Sequence, residues 1–309
     1  MNYYLGLDGG GTKTAACISD ENGNEVGRGF GGPGNIANCD DSQLSLSIST
    51  AVREAMASSG LPVGTQFEAV CAGVAGYSAK RRRADFLQLL SRLSPAKHQR
   101  LEPDYVIAYW GATHGQPGIV VSAGTGAVAY GRNEVGESHR SDGDGFLMGD
   151  RGSGFYIAKI ALRMLLARLR AGRELQPFDL AMLSAMDGAV DREDIIEWIY
   201  RDFQPVKVAS LAVRIGELAR EGDSTAEGVI YGAGTMLRTS YQRVRHKLAM
   251  PEETPAYALG NLWNLGEPLI KGFHRGFDQL PPPHRIEILQ PAHDSAYGAA
   301  YLAMQGDVA

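Results

Sequence analysis

Cysteine is scarce and scattered in this chain. Three residues, Cys17, Cys39 and Cys71, are spread through 309, an odd number with no CxxC or Cys–His spacing. That argues against a disulfide framework and against a zinc site, and a reducing compartment, the cytoplasm, is the expected home. An excess of positive charge is also missing: 30 Lys and Arg stand against 35 Asp and Glu, a net charge of −5. A general nucleic-acid binder would show a basic patch. The one tight basic run, Lys80–Arg83, reads as a solvated helix face. No apolar run approaches the roughly 18 residues that a bilayer crossing needs, and the chain enters strand-like sequence with no basic-then-apolar leader. Low-complexity tracts and Pro/Gly/Ser linkers are absent. The histidines His114, His139, His274 and His293 fall at no metal-ligand spacing and read as surface or loop residues. Trp110, Trp198 and Trp263 read as packing residues rather than a sugar-stacking platform.

What remains is a composition suited to a large packed core, 44% hydrophobic and 21% charged, in a chain long enough for two domains. Residues 3–8, 14–19 and 25–30 are apolar and β-prone, and Asn22-Gly23 is a hairpin signal between the last two. The chain therefore opens as an antiparallel meander. Helical spacing at 41–59 ends near Gly60. A buried-type strand at 67–74, a helix at 78–93, a strand near 99–103 and a short helix at 105–114 follow. At 118–132 the pattern restarts as strand, glycine turn, strand. Helices are predicted at 153–171, 178–186, 191–202, 206–221 and 224–248, strands at 256–260 and 285–290, and a small-residue helix at 294–305. Strands mixed with helices in both halves predict an α/β class, with two domains, 1–114 and 115–309, and a last helix that packs back on the first.

The strongest local signal is LGLDGGGTKT, residues 5–14. Three consecutive glycines let a backbone approach a ligand closely, and their amides can face phosphate oxygens. A P-loop is excluded because Thr12 intervenes between Gly11 and Lys13. A dinucleotide fingerprint is excluded because Thr14 stands where its third glycine belongs. Both of those loops open a helix, whereas residues 14–30 read as strand, turn, strand. A glycine hairpin with Asp8 at the strand end is the better reading, and a carboxylate there suits Mg²⁺. The plain alternative is a structural turn.

With a second strand–glycine–strand unit at SAGTGAVAYG (122–131), the chain resembles the actin/hexokinase/Hsp70-type ATPases. More narrowly it resembles the branch of N-acetylglucosamine kinases and BadF/BadG/BcrA/BcrD ATPases. The matching segments are LGLDGGGTKT, GGPGN (31–35), the helix start at Asp104 with Gly111-Ala112, QPGIVVSAGTG (116–126), GFLMGDRGSG (145–154) and PAHDSAYGAAYLA (291–303). They run in family order over nearly the whole length. The resemblance implies two ribonuclease-H-like domains around a nucleotide and sugar cleft whose closure excludes water. It also implies ATP and Mg²⁺ as cofactors, phosphorylation of an amino sugar at the 6-hydroxyl, and room for a homodimer.

The same resemblance distributes the roles. Asp104 is the expected base on the sugar hydroxyl, although Asp at a helix start also caps helices. Asp8 is the expected metal organiser. Gly10, Gly11, Thr12 and Lys13 fall to the β- and γ-phosphates, Gly124, Thr125 and Gly126 to the second hairpin, and Gly260 with Asn261 to the adenine. Asn35, Gly143, Asp144, Gly145 and Asp150 fall to the sugar. Asn35 doubles as a turn residue, and Asp150 as a cap for a helix starting near Gly152. Asp294–Gly298 falls near a hinge.

The match departs in three places. Asp142-Gly143-Asp144-Gly145 replaces Gly-Gly-Trp-Gly, Arg151 replaces Glu, and Asn261 replaces the second glycine of a pair. Asp144 then either favours a cationic sugar such as glucosamine or forms a surface pair with Arg151. Two other functions occur on the same fold. A BadF-type activator of a dehydratase requires cysteines for a shared iron–sulfur cluster, but Cys17 and Cys71 lie in apolar strands and Cys39 stands alone. A sugar-sensing regulator would carry a DNA-binding element ahead of the first hairpin, where only Met1 and Asn2 precede the strand.

Overall fold

The computed structural model describes residues 1–62, 64–275 and 286–306. In chain order the strands and helices are β1 (Tyr3–Gly9), β2 (Thr14–Asp20), β3 (Glu25–Gly31), α1 (Asp41–Ser59), β4 (Phe67–Val74), α2 (Lys80–Leu93), β5 (Ala96–Pro103) and α3 (Asp104–Thr113). Then come β6 (Gly118–Ala123), β7 (Ala127–Arg132), β8 (Ser138–Asp142), α4 (Gly154–Arg170), α5 (Pro177–Ser184), α6 (Arg192–Tyr200), α7 (Pro205–Ala209), α8 (Leu211–Arg220) and α9 (Ser224–Lys247). The chain ends with β9 (Ala256–Leu259), a 3-10 turn (Asn261–Leu265), α10 (Glu267–Phe273), β10 (Ile288–Leu289) and α11 (Ser295–Met304). It divides into two compact units, residues 1–117 with 290–309, and residues 118–289.

The first unit is built on a five-stranded sheet in the order β3-β2-β1-β4-β5. The opening meander is antiparallel, while β1–β4 and β4–β5 are parallel. Gly23, at φ 81°, closes the predicted Asn-Gly turn. One face is covered by α1, which lies close on β3. Alternate glycines on β3 permit that approach: a Cβ at Gly27, Gly29 or Gly31 would stand 2.4, 2.1 or 2.0 Å from the carbonyl oxygens of Ala55, Ala51 or Ser47. A period of two on the strand thus meets a period of four on the helix. On this side Leu5, Leu7, Ile18, Leu44, Ile48 and Val70 form the core.

The second unit has a five-stranded sheet in the order β10-β9-β6-β7-β8. Read from its own first strand, this is the arrangement of the first unit again, a meander of three followed by two parallel strands. The restart seen at 118–132 is therefore a repeat of topology. A helical layer from α4 to α9 packs on the sheet through Val121, Ile157, Leu165, Ile230 and Leu237, among others. No helix among the described residues is long and apolar enough to cross a membrane.

Several expectations need correction. The helix predicted at 206–221 is two, α7 and α8. The Ser210 hydroxyl turns back on the Lys207 carbonyl at 2.7 Å, a local bond that competes with the helical ladder. β8, the 3-10 turn and α10 were not foreseen. β8 is a polar edge strand, SHRSD, with no apolar alternation to betray it. The strand expected at 285–290 is the short β10, with Arg285 outside the described residues. The Lys80–Arg83 run is only partly a solvated face. Arg82 donates to the carbonyls of Ile36 and Cys39 and pairs with Asp41 at 2.8 Å. Arg83 donates to the Tyr77 carbonyl and lies 3.8 Å above the Tyr77 ring. His114 and His293 are not ordinary loop residues either. They stack in a cluster with Tyr297 and Tyr301, where burial, then His293, lowers the pKa of His114. Trp110, Trp198 and Trp263 are packing residues as read; Trp263 donates its indole N–H to the Val121 carbonyl at 3.0 Å.

Candidate active site

In the first unit the parallel register lines up strand ends: Gly9 pairs with Val74, and Val74 with Pro103. Asp8 at the end of β1 and Asp104, the residue after β5, therefore share the carboxyl edge of the sheet, where open α/β sheets bind ligands. Between β1 and β2 the chain makes a tip of residues 10–13. The Gly10 N–H donates to the Lys13 carbonyl at 2.9 Å and closes it. Gly10 is thus occupied with the turn, and the amides of Gly11, Thr12 and Lys13 have no backbone partner among the described residues. Nothing stands within 4 Å of where a Cβ at Gly11 would point. The tip is exposed and amide-rich, as an anion cradle must be. The Lys13 ammonium lies 5.5 Å from the Phe30 ring centroid.

The GGPGN segment packs against this hairpin backbone to backbone. Gly34 donates to the Gly10 carbonyl at 2.9 Å, and a Cβ at Gly34 would stand 2.6 Å from the Gly9 Cα. Glycine is required on both sides of that contact. It places Asn35 on the same edge, where its Oδ1 accepts from the Ala37 N–H at 2.9 Å. The turn role and a ligand role coexist, since Nδ2 has no protein partner among the described residues.

Asp104 is not a cap. Pro103 holds the N-cap position of α3 and no side chain caps it. The Asp104 carboxylate accepts from the next amide, Tyr105, at 2.9 Å, and the residue is exposed. Asp8 is half-buried, and its carboxyl is pushed up to about 7 from an ordinary 3.8: burial contributes most, then the charges of Asp104 and Asp294, against the opposing Lys13. Asp294 itself is committed to structure. It caps α11 by accepting from the Tyr297 N–H at 2.9 Å and pairs with Arg28 at 3.0 Å. Among the described residues no three His, Cys, Asp or Glu side chains are grouped to hold a metal ion by themselves, so a cation at Asp8 would draw its other ligands from water and phosphate oxygens.

In the second unit the Gly124-Thr125-Gly126 tip between β6 and β7 is held by the start of α4. Gly154 N–H donates to Gly124 O at 2.8 Å and Phe155 N–H to Thr125 O at 3.3 Å. Ser153, not Asp150, caps α4, accepting from the Tyr156 N–H at 3.1 Å. Asp150 lies against Gly126, where a Cβ would come within 2.8 Å of its Oδ2. Burial raises the Asp150 carboxyl, while amides of Ala127 and Gly145 donate to it and partly offset the rise. The structure thus brings Gly126, Gly145 and Asp150 together, with Gly143 and Asp144 on the same loop. The Asp144–Arg151 pair, the alternative to a role for Asp144 in sugar selection, does not form. Asp144 pairs with Arg140 at 2.8 Å and Arg151 with Asp142 at 2.9 Å. Asp142, for which the motifs suggest no role, is buried at the root of this loop. Its signal was only the unusual Asp-Gly-Asp-Gly string.

Gly260, at φ 88°, sits on β6, with the Ala123 carbonyl 2.3 Å from where its Cβ would be. It opens the 3-10 turn, whose Asn264 and Leu265 line a cleft of about 590 Å³ with Arg220, Glu227, Tyr231 and Lys271. That volume is in the range of small-molecule sites.

A model of the BadF/BadG/BcrA/BcrD ATPase family matches residues 5–303. The chain is 28% identical over 305 residues to the N-acetylmuramic acid/N-acetylglucosamine kinase of Clostridium acetobutylicum, covering 98% of each chain. It is 26% identical over 324 residues to the N-acetyl-D-glucosamine kinase of Dictyostelium discoideum, covering 97% of each. A crystal structure from Chromobacterium violaceum that carries an N-acetylglucosamine kinase name superposes with a TM-score of 0.80 at 25% identity, covering 99% of both chains.

Proposed function

The chain belongs to the BadF/BadG/BcrA/BcrD ATPase family, and within it we propose an ATP-dependent kinase that phosphorylates a hydroxyl, the 6-hydroxyl, of an amino sugar of the N-acetylglucosamine type. The observation that carries this reading is Asp104, an exposed carboxylate that starts a helix without capping it, on the strand edge that also carries Asp8. A base so placed accepts the proton of the attacking hydroxyl and orients it. The names of the relatives over the full chain support the substrate class.

The exposed amides support a nucleotide phosphate site, and a single carboxylate, Asp8, is available to a phosphate-bound metal. Asp8 would hold Mg²⁺, which supplies charge neutralisation on the phosphates. The unpartnered amides of Gly11, Thr12 and Lys13 and the Lys13 ammonium donate to phosphate oxygens, and the Gly124-Thr125-Gly126 tip offers the same kind of backbone in its own unit. The cleft beside the 3-10 turn takes the adenine. Asn35 Nδ2 in the first unit, and in the second unit the loop of Gly143, Asp144, Gly145 and Asp150, carry polar groups of the kind that bind sugar hydroxyls. Asp144 is neutralised by Arg140, so selection of a free amine by its charge loses its basis. The activator reading needs surface thiols, whereas Cys17 and Cys71 are wholly buried.

The test is ADP release with Mg-ATP across amino sugars and plain hexoses, with Asp104→Asn in parallel. One N-acylated amino sugar stimulates turnover, and the substitution lowers that stimulation by about 100-fold or more. ATP turnover indifferent to sugar would sink the kinase reading, and full activity in the variant would remove Asp104 from the chemistry.

A further inference from the structure

The loop of Gly143, Asp144, Gly145 and Asp150 starts from a residue in a costly conformation. Asp142 has φ 64°, where glycine is unstrained and a Cβ is not. Its side chain is 2% exposed, and a buried carboxylate needs bonded partners. It has them. Ser240 Oγ on α9 donates at 2.5 Å. Arg151 donates its backbone N–H at 3.2 Å, Nη2 at 2.9 Å and Nε at 3.2 Å. Burial alone would raise this carboxyl, and the bonds from Arg151 and Ser240 outweigh burial and hold it below its ordinary value. Glycine at 142 would relax the backbone. What aspartate adds is a grip on Arg151.

A guanidinium has two usable edges. Asp142 occupies the side edge, Nε with Nη2. The end edge, both Nη1 hydrogens and the outer Nη2 hydrogen, has no protein partner among the described residues, and the side chain is 33% exposed. Of the neighbouring carboxylates, Asp144 pairs with Arg140, and Asp150, raised by burial and only partly offset by the amides of Ala127 and Gly145, carries less charge than an ordinary carboxylate. The result is a fork of donors held along one edge by Asp142 and partly exposed on the other. A fork of that shape matches the two oxygens of an oxyanion.

We propose that Arg151 is a specificity-determining residue that receives the carboxylate of an acidic amino sugar, one with a carboxyalkyl ether beside its acylated amine, and that Asp142 is its positioning residue. The proposal rests on the amino-sugar kinase reading and names the substrate class of that site. A nucleotide phosphate has the same oxyanion chemistry, so the experiment separates the two sources. N-acetylglucosamine and N-acetylmuramic acid, which differ by one lactyl carboxylate, are compared by kcat/KM in the wild type, Arg151→Gln, Arg151→Lys and Asp142→Asn. KM for ATP is measured with each sugar.

In Arg151→Gln the ratio of kcat/KM for the acidic over the neutral sugar falls about 30-fold, through KM of the acidic sugar, as expected for one charge-assisted bidentate contact. Arg151→Lys recovers part of the ratio, because a point charge replaces a fork. Asp142→Asn lowers the ratio in the same direction. An unchanged ratio with both sugars equally impaired would make Arg151 structural. A rise in KM for ATP with either sugar, at a constant ratio, would assign the fork to phosphate. A wild type that uses the neutral sugar and not the acidic one would also overturn the proposal. If no sugar stimulates ATP turnover, the kinase reading itself has failed, a result distinct from all of these.

Discussion

At the scale of residues, one side-chain type in one kind of place does different work according to its neighbours. Asp104, Asp294 and Asp150 all stand within four residues of a helix start, where aspartate is a habitual cap. Only Asp294 caps. Sequence could not divide these roles, because each depends on which amide or guanidinium the tertiary fold brings within 3 Å or so. Asp8 shows the same dependence in its proton affinity. Its carboxyl is moved from 3.8 to about 7, so between pH 4 and 7 the folded chain binds more protons than the unfolded one. Stability attributable to Asp8 is therefore lost as pH rises through that window and is lowest above about 7. Asp8→Asn removes the effect. In metal-free buffer the variant gains on the wild type as pH rises from 4 to 8, by up to about 4 kcal/mol, and Mg-ATP narrows the gap. Thermal melts over that range check it, and a gap that ignores pH would mean that Asp8 is not held in this way.

At the scale of elements, the meander, α1, β4 and the second hairpin were legible because their apolar periods are strong and their turns carry glycine or Asn-Gly. β8 was not, because a polar edge strand is defined by its partner β7 and not by its own pattern. The closest packing is also decided between elements. α11 is a helix of small residues, SAYGAAYLAM, with Gly6 of β1 against its backbone on one side. On its other side, at Gly298, a Cβ would meet the Ile107 carbonyl of α3 at 2.1 Å and the Gly111 N at 2.3 Å. These are backbone atoms, which cannot swing away as a side chain can. Gly298→Val consequently costs about 3 kcal/mol or more, read as a lowered denaturation midpoint at unchanged slope. A midpoint within error of the wild type would show that α11 does not sit so closely on α3.

At the scale of the molecule, cysteine reports how the fold protects its interior. Cys17 and Cys71 lie inside the first sheet, and burial, the largest cause in each case, pushes the Cys17 thiol up to about 12 and the Cys71 thiol higher still. Cys39 is half-buried in the segment that Arg82 ties down. A thiol reagent under native conditions therefore titrates Cys39 first. The other two appear at the rate of global opening and all three at once in denaturant, because the thiolate is the reactive form and neither buried site favours it. Three equally fast thiols in the native protein would contradict the sheet interior described for Cys17 and Cys71. The sequence by itself determined the class, the two glycine hairpins, the order of the motifs and the family, since each rests on local spacing and turn chemistry. Only the tertiary structure decided that the two sheets repeat one strand order, that Asp294 caps its helix while Asp104 does not, and that Arg151 answers to Asp142 and not to Asp144. Those outcomes depend on strand registers and on contacts between distant residues, such as Asp142 and Ser240, 98 positions apart, and no local pattern encodes which distant group will complete a hydrogen bond.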